Sequence, residues 1–181
     1  VSGDDLLNAA EKGGDLTLSG QTQGVEAGQT VVVKFADQTF TAQVQQDGSW
    51  SLTVPASAME TLTDGRAQVS VSVTNVSGNS ADAARVVTVD TQPPAITLDN
   101  LTADNIINAA EAQQDLMLSG STTAEAGQTV TVTLNGKDYT TTAGADGSWT
   151  LSVPAADVAA LTDGSVTVTA SVSDKAGNPA S

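Results

Sequence analysis

The sequence contains no histidine and no cysteine, and these two absences exclude large classes of chemistry. Serine–histidine triads, thiol nucleophiles, classical zinc sites and disulfides each need one of these side chains. The absence of cysteine does not decide where in or outside the cell the protein acts, because a chain without cysteine suits both the cytosol and export to an oxidising environment. The most familiar nucleophilic and zinc-dependent enzymes are therefore excluded.

Aromatic and basic residues are also scarce. Aromatic residues make up 3% of the chain, too few for a platform of stacked rings that binds carbohydrate. Six Lys and Arg stand against 21 Asp and Glu, which gives a formal charge of −15. This balance disfavours nucleic acid and anionic membrane surfaces, since both attract cationic patches. Two explanations of the acidity remain open, a bound metal cation as counter-charge or the solubility of an exposed β protein.

Long apolar runs are missing as well. No stretch approaches the roughly 18 apolar residues that a membrane helix needs, and no signal peptide is present. We therefore expect these residues to be soluble and any targeting segment to lie outside this sequence.

What the sequence does contain is an internal repeat. The offset is 100 residues between Glu11 and Glu111 and 99 between Trp50 and Trp149, because Gly24 has no counterpart. This period is too long for a helical solenoid unit and matches the size of an independent domain. The matching segments are 6–11 with 106–111, 26–31 with 125–130 and 47–50 with 146–149. Repetition favours a spacer, a stalk or a multivalent binder, which gain reach or avidity from each copy.

The periodicity predicts an all-β fold of two tandem immunoglobulin-like β-sandwich domains in an elongated rod. Apolar and polar residues alternate between Gly and Asn turn signals, with about seven strands per repeat. Trp50 and Trp149 alternate with leucines, which predicts core indoles between the sheets. Residues 55–62 and 154–161 start with proline and carry apolar residues three apart, which predicts a short helical turn in each repeat.

The repeat boundaries predict an immunoglobulin-like repeat at 1–90, a short linker at 91–95 and a second repeat at 96–181. Pro93 and Pro94 favour an extended, semi-rigid linker that places the second domain in line below the first. The alignment predicts that the first repeat lacks its first strand and the second its last. We therefore expect a fragment of a longer array, with an open sheet edge in the second repeat that is an association hazard.

Four motifs carry a resemblance to a known family. They are Asn-Ala-Ala-Glu, Asp-Gly-Ser-Trp, Leu-Thr-Asp-Gly and the junction Val-Asp-Thr-Gln-Pro-Pro. The chain resembles the bacterial immunoglobulin-like (BIg) repeats of giant type I-secreted adhesins of the SiiE and BapA type. This resemblance implies a secreted, cell-surface rod that serves adhesion or biofilm formation, with calcium bound near domain junctions. It also implies neighbouring repeats of the same chain as partners and a host or matrix receptor bound by other regions, without nucleic-acid binding or membrane insertion.

One segment of the second repeat can be laid on the twelve-position calcium loop. Residues 100–111 place Asp104 at the fifth position and Glu111 at the bidentate twelfth, with Asn105 at the sharp turn of the sixth. Asn tolerates the left-handed conformation better than most residues. In the first repeat the same register retains Asp4, Asn8 and Glu11. The alternative interpretation is a polar surface turn with a glutamate at a short helix.

Topology adds three carboxylates to this candidate metal site. Asp90 ends the first repeat beside the loop that carries Asp64, and the loop that carries Asp174 is expected to reach the same junction. Crowded carboxylates repel and raise one another's pKa unless a cation neutralises them. The predicted calcium ligands are Asp64, Asp90, Asp104, Glu111 and Asp174.

These observations predict non-catalytic, calcium-rigidified stalk repeats that extend a distal binding region. Paired carboxylates hydrolyse glycosides in some enzymes, but the sequence offers no deep cleft or aromatic subsites for that reaction. The alternative is a repeat module that itself binds a surface glycan or protein receptor. Direct binding favours exposed aromatic residues in loops, whereas Phe40 and Tyr139 fall at alternating strand positions. The sequence therefore favours the spacer.

Overall fold

A computed structural model describes residues 5–181, so the possible ligand Asp4 lies outside the described residues. The chain divides into two compact units, Val1–Gln92 and Pro93–Ser181. Each unit is an immunoglobulin-like β-sandwich with its own hydrophobic core, as the alternating sequence pattern predicts. The division falls between Gln92 and Pro93.

Unit 1 contains seven strands and two short helices in its described part. Its strands are β1 (Leu6–Leu7), β2 (Leu16–Gln21), β3 (Thr30–Phe35), β4 (Gln38–Gln43), β5 (Ser49–Val54), β6 (Gly65–Thr74) and β7 (Ser80–Val89). Its helices are α1 (Ala9–Lys12) and α2 (Ala56–Met59). One sheet has the order β1-β7-β6-β3-β4 and the other pairs β2 with β5. Every pairing is antiparallel except that of β1 with β7, which is parallel.

Unit 2 repeats this plan with shorter strands at one edge. Its strands are β8 (Leu116–Ser121), β9 (Thr129–Leu134), β10 (Lys137–Thr142), β11 (Ser148–Val153), β12 (Val168–Ser173) and β13 (Pro179–Ala180). A 3-10 turn covers Glu111–Gln113, and α3 covers Ala155–Val158. The sheets have the orders β10-β9-β12-β13 and β11-β8, and Ile96 forms an isolated bridge with Thr122. Both predicted helical turns are present as α2 and α3.

Alternation places one face of each strand in the core. In β3, Val31, Val33 and Phe35 are buried while Thr30 and Lys34 are exposed. Burying such side chains provides the main favourable free energy of folding, roughly 1.5–3 kcal/mol each. No helix in residues 5–181 is long and apolar enough to cross a membrane.

Both tryptophans lie in the cores, which confirms the prediction. Trp50 is 7% exposed and Trp149 is 1% exposed. Trp50 is paired with Gly20 across β2 and β5, and Trp149 with Gly120 across β8 and β11. A Cβ atom added at Gly20 would lie 2.8 Å from the Trp50 indole, so each indole occupies the space above a glycine.

The Asp-Gly-Ser-Trp motif forms the turn that leads into each tryptophan strand. In unit 1, Asp47 Oδ1 accepts hydrogen bonds from the backbone N of Ser49 at 2.9 Å and from its hydroxyl at 2.6 Å. Gly48 has a φ of 79°, a conformation that glycine adopts without strain. The hydrogen bond from the Ser49 hydroxyl is the main reason why the pKa of Asp47 lies below its usual value. This motif therefore has a structural role.

Candidate functional site

Asp64 and Asp90 lie at the same end of the large sheet in unit 1. Asp64 immediately precedes β6, and Asp90 immediately follows β7. These strands are antiparallel neighbours, with Gly65 opposite Val89. The pairing therefore places Asp64 and Asp90, which are distant in sequence, on adjacent chain segments. The sequence analysis expects this neighbourhood of Asp90 and the loop that carries Asp64.

Both carboxylates accept hydrogen bonds from the segment that follows β7. Asp64 Oδ1 accepts from the Thr91 backbone N at 3.0 Å and from the Thr91 hydroxyl at 2.8 Å. Asp90 Oδ1 accepts from the Gln92 backbone N at 3.2 Å. The hydrogen bond from the Thr91 hydroxyl is the main reason why the pKa of Asp64 lies below its usual value. The positive charge of Lys12 also lowers this pKa. Asp64 is therefore a carboxylate at neutral pH, as a calcium ligand has to be.

Asp104 belongs to a compact turn in unit 2. Its Oδ1 accepts hydrogen bonds at 3.0 Å from both the Ile106 backbone N and the Thr102 hydroxyl. The Ile106 bond is the main cause that lowers the pKa of Asp104. Asn105 has a φ of 60°, the left-handed conformation that the calcium-loop alignment anticipates at this position. The turn is thus closed by hydrogen bonds within the chain.

Glu111 takes part in a capping box. Its Oε2 accepts from the Asn108 backbone N at 2.9 Å, and Asn108 Oδ1 accepts from the Glu111 backbone N at 3.1 Å. Asn8 and Glu11 form the same reciprocal pair at the start of α1. A capping box satisfies two backbone donors that the first helical turn leaves without partners. These contacts correspond to the polar-turn interpretation of this segment.

Asp174 closes the hairpin between β12 and β13. Asp174 is 8% exposed and Asn178 is 2% exposed. The Asp174 carboxylate accepts from the Asn178 backbone N at 2.8 Å through Oδ1 and from its side-chain amide at 2.9 Å through Oδ2. In unit 1 the equivalent residue is Asn75, whose Oδ1 accepts from the backbone N of Asn79 at 2.9 Å.

Within unit 2, Asp174 lies at the opposite end of β12 from Asp104 and Glu111. The backbone N of Lys175 donates to Glu125, and two residues before Glu125 the backbone N of Thr123 donates to Ala95 O near the start of the unit. Asp104 and Glu111 adjoin residues 105–108, which line a groove at the other end of the strand. A strand of six residues separates the two ends by roughly 17 Å. Unit 2 therefore does not gather its three predicted ligands into one cluster.

Residues 5–181 contain no group of three or more acidic side chains arranged to hold a metal ion. The pair that the fold brings together is Asp64 with Asp90. Calcium takes 6–8 oxygen ligands at about 2.3–2.6 Å, so two carboxylates supply part of such a set. Carboxylates are suitable ligands for calcium. A complete site needs further oxygen ligands, and calcium would have to replace the hydrogen bonds that Thr91 and Gln92 donate to these carboxylates.

Sequence reasoning missed a second carboxylate beside the Asp174 hairpin. Glu125 Oε2 accepts from the Lys175 backbone N at 2.9 Å, and Glu26 accepts from Val76 at 3.1 Å in unit 1. The signal was present, because both glutamates belong to the repeated motif Glu-Ala-Gly-Gln-Thr. A repeated motif marks a shared structural contact as readily as a ligand site.

Comparison with known proteins identifies the family to which these two sandwiches belong. The profile of the bacterial Ig-like domain matches residues 13–91 and again residues 99–181. The chain belongs to this family. The bacterial Ig-like domains are therefore present as two tandem copies, in agreement with the resemblance inferred from the motifs. No curated protein matches the sequence.

Two solved structures share the fold and about a third of the sequence with this bacterial Ig-like pair. One is described as a Ca²⁺-stabilised adhesin that helps an Antarctic bacterium reach out and bind ice; it is 33% identical over 99% of this chain, with a TM-score of 0.62. The other, from work on host cell surface retention of a 1.5-MDa bacterial ice-binding adhesin, is 35% identical over 99% of this chain, with a TM-score of 0.60. The chain spans 45% and 58% of these two structures.

A third similarity concerns the fold alone. Fibronectin(III)-like modules of Clostridium thermocellum CbhA align over 97% of this chain and 84% of their own, with a TM-score of 0.55 and 10% identity. The sandwich plan is thus shared well beyond adhesins. A shared sandwich fold does not imply a shared function.

Proposed function

We propose that this chain is a non-catalytic, calcium-stabilised spacer within a bacterial cell-surface adhesin. The observation that carries the proposal is the tandem pair of bacterial Ig-like domains, which is 33% and 35% identical to two solved structures from work on ice-binding adhesins. One of these relatives is described as Ca²⁺-stabilised. The proposal places the protein outside the cell, with neighbouring repeats as its partners and a receptor bound elsewhere in the adhesin.

The placement of aromatic residues supports a spacer over a receptor-binding module. Phe40 and Tyr139 are half-buried and pack against the two cores. Both tryptophans are buried. Exposed aromatic anchors are typical of binding hot spots, and none of these four side chains is available as one. A receptor-binding module is therefore the weaker proposal.

For calcium, we put Asp64 and Asp90 forward as the primary ligands. Their carboxylates lie on neighbouring segments at one end of unit 1, and hydrogen bonds lower the pKa of Asp64. The three other proposed ligands, Asp104, Glu111 and Asp174, occupy two different ends of unit 2. Each makes hydrogen bonds within its own loop. To bind calcium, these carboxylates would have to give up the hydrogen bonds that they accept within their loops.

The mechanical consequence follows from the short join between the two repeats. Residues 91–95 include two prolines, so few conformations have to be lost when calcium binds. Extracellular modules bind calcium with Kd values of roughly 0.1–1 mM. At ten times that Kd, linkage contributes about 1.4 kcal/mol. This energy is small against the stability of a domain but biases an interdomain hinge about tenfold, which favours a rigid spacer.

Calorimetry and small-angle scattering test this proposal together. The wild-type protein is titrated with calcium beside an Asp64→Asn/Asp90→Asn double variant. The matched control is Asp163→Asn, which changes the equivalent Leu-Thr-Asp-Gly motif of unit 2. For the wild type and the control, we expect a measurable heat of calcium binding and a maximum dimension that is longer in calcium than in chelator. For the double variant, we expect neither effect.

Three results would contradict the proposal. The first is an absence of calcium heat together with unchanged scattering in the wild type. The second is equal loss of binding in Asp163→Asn and in the double variant, which would remove Asp64 and Asp90 as the primary ligands. The third is a specific signal from this chain on a glycan or receptor array, which would favour the binding module over the spacer.

A further inference from the structure

Lys12 ties the first helix of unit 1 to the loop that carries Asp64. Lys12 is the last residue of α1, and its Nζ donates a hydrogen bond to the Leu62 backbone oxygen at 2.5 Å. Leu62 lies two residues before Asp64, in the segment between α2 and β6. Lys12 is half-buried. Its ammonium group is therefore held against this loop.

The same helix adjoins the segment that carries Asp90. β1 ends at Leu7, whose backbone oxygen accepts from the Asp90 backbone N at 3.0 Å. α1 begins two residues later, at Ala9. The pairing of β6 with β7 brings Asp64 to this end of the sheet as well. The lysine of α1 is thus placed at the end of unit 1 where both proposed primary calcium ligands lie.

The charge of Lys12 acts on one of these two carboxylates. The hydrogen bond from the Thr91 hydroxyl is the main reason why the pKa of Asp64 is lowered, and the positive charge of Lys12 lowers it further. A cation that stabilises a carboxylate repels any second cation that the same carboxylate binds. Lys12 therefore supplies part of the counter-charge that calcium would supply.

Unit 2 keeps the local structure at the corresponding place but has no lysine there. The repeat places Ala112 at the position of Lys12, while the Leu-Thr-Asp-Gly motif recurs at 161–164. The glutamate before this position forms the same capping contact in both units, as Glu11 with Asn8 and as Glu111 with Asn108. The capping contact forms without a lysine, so Lys12 adds to unit 1 a charge that the shared plan does not require.

We propose that Lys12 is the resident counter-cation of the Asp64–Asp90 pair and that it weakens calcium binding there. The inference rests on the proposed function, in which these two carboxylates are the primary ligands. A divalent ion at the pair meets the ammonium of Lys12 as a like charge, and the side chain cannot move away without losing its hydrogen bond to Leu62. Rigidification at this end of unit 1 therefore needs more calcium than it would with a neutral residue at position 12.

Calorimetric titration of the 181-residue protein with calcium tests the inference on two neutral variants, Lys12→Met and Lys12→Gln. We expect both to bind calcium about three- to tenfold more tightly than the wild type, because the repulsion between a divalent ion and a nearby ammonium is removed. This difference should shrink at high salt, which screens the charges. Lys12→Gln keeps a donor for the Leu62 oxygen. Lys12→Arg keeps the charge and should bind like the wild type.

Thermal unfolding provides a second readout, which includes the protein without calcium. In chelator, Lys12→Met should lower the unfolding temperature of unit 1, because the two carboxylates lose their counter-charge. Saturating calcium should then raise this temperature by more than it does in the wild type. The matched control is Lys137→Met, which makes the same change in net charge in unit 2, where Lys137 pairs with Asp157. It should leave the calcium affinity and the unfolding temperature of unit 1 unchanged.

Three results would overturn the inference: unchanged or weaker calcium binding in both neutral variants, equally tightened binding in Lys137→Met, or equally tightened binding in Lys12→Arg. If the double variant Asp64→Asn/Asp90→Asn also abolishes the binding seen in the wild type, the proposed function stands and this inference alone fails. No heat of calcium binding in any of these proteins would overturn both. Calcium binding by the neutral variants but not by the wild type would support the inference and contradict the proposed function.

Discussion

The two units share a plan, and they differ most at the edge where β7 lies in unit 1. Leu6 and Leu7 form β1 because β7 offers them a parallel partner, and Leu7 is fully buried. Ile106 and Ile107 have the same apolar character but form no strand in the described structure. Residues of similar β propensity therefore become a strand only where a partner satisfies their backbone groups.

A second difference lies where α2 and α3 meet the sheet. In unit 2, Asp157 Oδ2 accepts from Lys137 Nζ at 2.6 Å and from the Tyr139 hydroxyl at 2.9 Å. In unit 1 the equivalent of Asp157 is Ala58, which is 3% exposed, and Phe40 replaces the tyrosine. Gln38, the counterpart of Lys137, donates a hydrogen bond from its side-chain amide to Ala58 O at 3.5 Å. The contact between helix and sheet thus contains an ion pair in unit 2 and a neutral hydrogen bond in unit 1.

The largest expected effect comes from removing a core indole. Trp149→Ala should cost unit 2 about 3–5 kcal/mol, and Trp50→Ala should cost unit 1 a similar amount, since both side chains are buried. Denaturant unfolding followed by far-UV circular dichroism measures the loss in the modified unit. Each unit holds one tryptophan, so the fluorescence of the remaining indole identifies the transition of the unmodified unit. Trp→Phe at each position is the control and should cost less. A loss below about 1 kcal/mol for either alanine variant would contradict the burial that both units share.

A smaller effect, which differs between the units, is expected at the glycines beneath the indoles. A Cβ atom at Gly20 meets the Trp50 indole, whereas one at Gly120 meets the Trp149 indole and also the Thr97 carbonyl oxygen. Overpacking costs typically 1–3 kcal/mol. We expect Gly120→Ala to destabilise unit 2 more than Gly20→Ala destabilises unit 1, because a side chain yields more easily than a backbone. If Gly20→Ala and Gly120→Ala lower the unfolding temperatures of their units equally, the Thr97 segment moves aside to make room for the added Cβ atom.

The smallest expected effect is the pH dependence of the polar contact in unit 2. Hydrogen bonds from Lys137 and then from Tyr139 lower the pKa of Asp157. A lowered pKa in the folded state gives stability that is present above the unfolded value of about 3.9 and is lost as pH falls through the folded value. Asp157→Asn should therefore destabilise unit 2 at neutral pH, and its difference from the wild type should vanish in acid.

The matched control for this pH experiment is Asp115→Asn, which changes another carboxylate of unit 2. Asp115 Oδ1 accepts from the Ala155 backbone N at 2.9 Å and does not contact Lys137. The double variant Lys137→Met/Asp157→Asn should lose less stability than the sum of the stability losses of the two single variants. Additive losses, or the same pH dependence in Lys137→Met as in the wild type, would show that the ion pair contributes nothing to the contrast between the units.

Much of the fold was predictable because its signals are local. Alternation located β3 at Thr30–Phe35 to the residue, and proline followed by spaced apolar residues located α2 and α3. The candidate site was less predictable, because carboxylate ligands and structural hydrogen-bond acceptors have the same residue types. Glu111 fits the twelfth position of a calcium loop by spacing, yet its observed partner is the Asn108 backbone, three residues away.

The sequence by itself determined the repeat, the all-β class, the turns and the core positions, because each depends on a period or on residues close together in the chain. Only the tertiary structure decided which segments found partners. It brought Asp64 beside Asp90 through the pairing of β6 with β7, and it placed Asp174 at the far end of its own sheet from Asp104. The physical reason is that strand pairing joins residues distant in sequence, and whether a backbone edge is satisfied depends on which strand lies beside it.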